Sequence, residues 1–144
     1  MKRIVKLSIG ILSICSLYGC HTSYLMKKIE DVKNIEVKKD YFVNKPVIEL
    51  LNRIKPAIKL VSVRSGWAEQ AGYFVFKFVD SVEEKQYNKE GKLSPRIRVF
   101  VKESFEWDFE KRPKGKQFIW TKSDEERYGN LTIIDLITSG GVIK

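Results

Sequence analysis

Between Val47 and Ile54 the apolar positions fall at Val47, Leu50, Leu51 and Ile54, the spacing of one helix face. Asn44 is a candidate N-cap, Pro46 suits a first turn that needs no N–H, and Pro56 is expected to stop the helix. The pattern then changes period. Ile58 to Val63 is rich in β-branched residues, Ser65-Gly66 offers a turn, and Tyr73 to Val79 sets Phe74, Phe76 and Phe78 against Tyr73, Val75 and Lys77. This predicts an antiparallel strand pair whose second member has an aromatic inner face. Asp80-Ser81-Val82-Glu83 fits a capping box for a short helix ending near Gly91. Ile97, Val99 and Val101 alternate with Arg96 and Arg98 as in a half-buried strand.

From Phe105 to Glu110 aromatic and acidic residues alternate strictly, which in an extended chain puts Phe105, Trp107 and Phe109 on one face and Glu106, Asp108 and Glu110 on the other, with ~6.6 Å between neighbours in a row. The reading is a strand with a wet side. Its carboxylates are also candidates for a hard cation or an acid/base pair. Lys111-Arg112-Pro113-Lys114-Gly115-Lys116 reads as an exposed hairpin connection to a strand at Gln117 to Thr121. Ser123 to Glu126 reads as a second capping box, with Gly129 as the stop, and Leu131 to Ile137 as a last strand followed by a frayed tail. The expected fold class is α+β, a mostly antiparallel sheet of five or six strands packed by one leading helix and two short helices.

The first twenty residues have a different character. Lys2, Arg3 and Lys6 precede an apolar run from Leu7 to Leu17, too short to span a hydrocarbon core that needs about 20 apolar residues. Cationic start and short apolar segment together read as a secretory signal. It closes on Leu17-Tyr18-Gly19-Cys20, which resembles the lipobox of bacterial lipoproteins, with Tyr18 departing from the small-residue preference. The resemblance implies cleavage before Cys20, a thioether-linked diacylglycerol on Cys20 and acylation of the new amino terminus, with two or three chains holding the protein firmly. It implies a cell-envelope location and, since His21 rather than Asp follows the cysteine, the outer membrane in a Gram-negative cell. The expected organisation is residues 1–19 as signal, 20–40 as lipidated cysteine and polar tether with a candidate short strand at its end, and 41–144 as one domain. About 105 residues suffice for one core.

Charge and cysteine content refine this picture. Removing Lys2, Arg3 and Lys6 takes the net charge from +9 to +6. In an envelope that excess suits anionic headgroups, acidic glycans or acidic proteins, and it disfavours nucleic acid. Cys15 leaves with the signal and Cys20 carries lipid, so no disulfide is expected. The sole histidine, His21, lies beside the anchor, which removes His-dependent triads and His-ligated zinc or haem from the domain. No cofactor or metal is expected.

Trp67, Lys111, Arg112, Lys114, Lys116 and Trp120 form the candidate binding rim, cations and indoles that together suit an anionic glycan or an acidic protein surface. The expected function is a non-catalytic binding or adaptor module for an envelope protein or anionic polymer. The alternatives are an inhibitor or immunity lipoprotein acting against a lytic enzyme or toxin, and a hydrolase using Glu103, Glu106 or Asp108.

Overall fold

A computed structural model describes residues 28, 31–66 and 69–140. The leader, Cys20, Trp67 and the last four residues lie outside that range. Helix formation begins earlier than the apolar spacing suggests. Two short helices, α1 (Val32–Val37) and α2 (Lys39–Phe42), precede α3 (Val47–Ile54). Phe42 is buried, and so are Val32 and Ile35, so residues 32–37 of the expected tether are helix and belong to the core. Val47, Leu50, Leu51 and Ile54 are all buried, as their spacing requires.

The helix starts differently from the expectation. Pro46 is the N-cap, while Asn44 adopts φ 67°, a left-handed conformation that asparagine tolerates better than most residues. That turn lets Asn44 N–H donate to Ile133 O at 2.8 Å and Lys45 O accept from Ile133 N at 2.9 Å. The chain is thereby pinned beside the last strand before α3 begins. Past Ile54 the backbone tightens into a 3₁₀ turn, Lys55–Ala57, that accommodates Pro56.

Four strands, β1 (Leu60–Arg64), β2 (Gly72–Lys77), β3 (Arg96–Val101) and β4 (Ile133–Ser139), form an antiparallel sheet in the order β1-β2-β3-β4. Val61 opposes Phe76, Phe76 opposes Ile97, and Val99 opposes Leu136. All five are buried on the face that meets the helices. A bulge near Phe100 and Val101 shifts the β3–β4 register. Between β2 and β3 lies α4 (Ser81–Lys89), capped by the expected Asp80/Glu83 box. None of its residues is buried. Glu84 ties it down by accepting from Lys77 Nζ at 2.9 Å and Arg96 Nη2 at 3.0 Å.

The sheet therefore has four strands and not five or six. Residues 105–110 and 117–121 are irregular and join neither edge strand, β1 or β4, as a ladder. Phe118 O accepts one bond from Val61 N at 2.8 Å, a trace of the strand expected at 117–121. The last helix, α5 (Lys122–Tyr128), ends at Gly129 as expected but is capped by Thr121 and Asp124. That start lies two residues before Ser123, because Thr121 has the extended backbone that a cap requires.

Candidate functional site

The irregular stretch from Lys102 to Thr121 lays its aromatic side chains on the open end of the core. Phe105 stacks on Phe74 with centroids 4.5 Å apart, and Trp120 meets Phe76 edge-on at 5.2 Å. Trp107 lies parallel to Trp120 at 6.2 Å. Its Nε1 donates to Gln117 O at 3.3 Å, and Tyr128 Oη donates to Glu106 O. The alternation seen in the sequence thus sorts Phe105 and Trp107 inward without a ladder, while Phe109 remains 44% exposed.

Arg112, expected on a solvent-facing rim, turns inward. Its guanidinium lies 3.4 Å from the Trp107 centroid and forms a two-pronged pair with Asp124. Asp124 also accepts from Thr121 N at 2.8 Å and Thr121 Oγ1 at 2.9 Å. Burial alone would push the Asp124 carboxyl up, but the Arg112 and Thr121 donors outweigh it and hold the group below the usual carboxylate range. Arg112 is committed to closing the loop over the core.

Trp120 does line a concavity, with different lysines from those the sequence suggests. Lys55, Ile58, Lys59, Ile119, Thr121, Lys122 and Glu125 join it around a cavity of about 320 Å³. Lys55 pairs with Glu125 at 2.9 Å. Among the described residues Lys59 and Lys122 have no carboxylate within ion-pair distance, so the cavity carries uncompensated positive charge. The Trp120 Nε1 donor is buried and meets no acceptor in the protein, a cost of about 1–3 kcal/mol unless something accepts from it. An apolar wall and two free ammonium groups suit an anionic group on a compact sugar-sized unit.

The other candidates lie elsewhere. Lys111 pairs with Asp108 at 3.5 Å, and Lys114 and Lys116 are exposed. The carboxylates Glu106, Asp108 and Glu110 line a second cavity of about 380 Å³ with Ser65, Trp107, Phe109 and Lys111, so they do not converge on the Trp120 cavity. The Arg127 hydrogen bond at 3.0 Å holds Asp108 below its ordinary range. For Glu103 burial pushes upward, yet bonds from Thr132 N and Oγ1, both 2.6 Å, bring it down. Both acids are therefore held ionised, whereas a general acid at neutral pH needs a raised value. Among the described residues no cluster of three or more His, Cys, Asp or Glu side chains could hold a metal ion.

Lys55, Lys59 and Lys122 escaped sequence reasoning because they come from opposite ends of the domain and flank ordinary secondary structure. The adjacency of Lys122 to Trp120 was the one available signal. Among the described residues no helix is long and apolar enough to cross a membrane. No protein-family model, no curated protein and no solved structure matches the chain.

Proposed function

We propose that the chain is a lipid-anchored, non-catalytic binding module of the cell envelope that holds an anionic polymer, a phosphorylated or acidic glycan, at the Trp120 cavity. The observation that carries this reading is the convergence of Lys55, Lys59 and Lys122 on Trp120 around one concavity. The size of the cavity favours one unit of a polymer over a flat protein surface, since stable protein interfaces bury about 800 Å² per partner. The lipobox-like end at Cys20 and the cationic start of the chain support the envelope anchor.

Calorimetric titration of the full chain in detergent with poly(glycerol phosphate) and with polygalacturonate tests the cavity, with dextran as a neutral control. Binding is expected for at least one of the acidic polymers and none for dextran. Lys59→Gln and Lys122→Gln should each weaken it about tenfold, as expected when a hydrogen bond to a charged group is lost. Undiminished binding by both variants, or equal binding of dextran, would overturn the assignment.

A further inference from the structure

We propose that the exposed side of α1 and α2 docks on the anionic phospholipid headgroups of the bilayer that carries the anchor. This rests on reading the chain as lipid-anchored. While Val32, Ile35 and Phe42 point into the core, Val37 is 86% exposed and Tyr41 48% exposed. A valine so exposed has no packing role in the isolated domain, and tyrosine is a residue enriched at membrane–water interfaces.

Cations lie beside Tyr41. Lys45 Nζ sits 3.3 Å from the Tyr41 centroid, and Tyr41, Phe42, Lys38 and Arg53 line a hollow of about 180 Å³. Acidic groups nearby are fewer or otherwise engaged: Glu36 bonds Thr138 and lies 3.7 Å from Lys33, and Asp40 is exposed on the flank. Positive charge around an aromatic and aliphatic centre complements anionic lipid, whose attraction falls off within a Debye length. Position agrees with charge, because the chain from Cys20 to Asp31 reaches at most about 40 Å and α1 is the first helix among the described residues. An acidic protein would need a larger apolar contact than Val37 and Tyr41 provide.

The test reconstitutes the full chain, recovered with its anchor, into vesicles of phosphatidylcholine alone and of phosphatidylcholine with phosphatidylglycerol. Amide exchange over residues 32–42 and the mass of the amino-terminal peptide are read from the same samples. Phosphatidylglycerol should slow exchange over 32–42 and leave β2 and β3 unchanged. Lys38→Gln and Lys45→Gln should each reduce the docked-to-free ratio about fivefold, the attraction expected per lysine at an anionic surface. Equal exchange in both vesicles, or slowing that survives the double variant, overturns the docking face. Slowing reproduced by inorganic phosphate over pure phosphatidylcholine overturns it too, in favour of a free-anion site. An unmodified Cys20 thiol overturns the anchor reading separately, whichever way exchange responds.

Discussion

Asp124 concentrates more structural work than any other polar residue described. It caps α5, pairs with Arg112 and through it holds the guanidinium over Trp107. Asp124→Asn leaves a buried cation without its counter-charge, so a loss of roughly 3–5 kcal/mol is expected in urea unfolding. The pH dependence has a definite sign. Because the folded carboxyl lies below its ordinary value, its stabilisation is complete above about pH 3.9 and is lost as pH falls through the folded value. The variant should show a flatter acid limb than the parent protein. Gly72 is the second sensitive residue. A Cβ there would lie 2.6 Å from Phe105 Cε1 and 2.6 Å from Gly66 N, so Gly72→Ala should cost about 1–3 kcal/mol by overpacking. A thermal melt equal to that of the parent would contradict this packing.

At the scale of elements, the stretch from Lys102 to Thr121 acts as a strap whose inward aromatics replace a missing strand. Phe105→Ala should cost roughly 3–5 kcal/mol in denaturant unfolding, whereas Glu106→Gln on the same stretch should stay within about 0.5 kcal/mol. Equal effects would mean that the alternation does not sort the side chains. What was legible in the sequence follows the same division. The helix at Val47–Ile54, the β1–β2 pair and the Asp80 box were readable because period, cap and turn all act within a few residues. The strap was misread because an alternating pattern satisfies any extended chain lying on a core, and whether its backbone meets a strand edge is decided by the tertiary fold. Val32, Ile35 and Phe42 were passed over for a related reason. Spaced among Lys33, Lys38 and Lys39, they show their apolar face only once β4 is there to receive it.

For the whole molecule, the candidate site is assembled from residues 55–59 and 119–125, segments joined by the packing of Trp120 on Phe74 and Phe76. Sequence reading named Trp120 and grouped it with Arg112 and other cations of the 111–116 loop, without Lys55, Lys59 and Lys122, since which charges lie around Trp120 is a property of the tertiary fold. Free ammonium groups on an exposed cavity bind more weakly as salt rises, so the affinity for an acidic polymer should fall steadily with ionic strength. The most direct measurement is nuclear magnetic resonance of the labelled full chain in detergent during titration with poly(glycerol phosphate). The Trp120 indole N–H and the amides of residues 55–59 and 119–125 should shift together and saturate, and dextran should move none of them. Shifts confined to Lys111–Lys116, or spread over every lysine without saturation, would contradict a built site at Trp120.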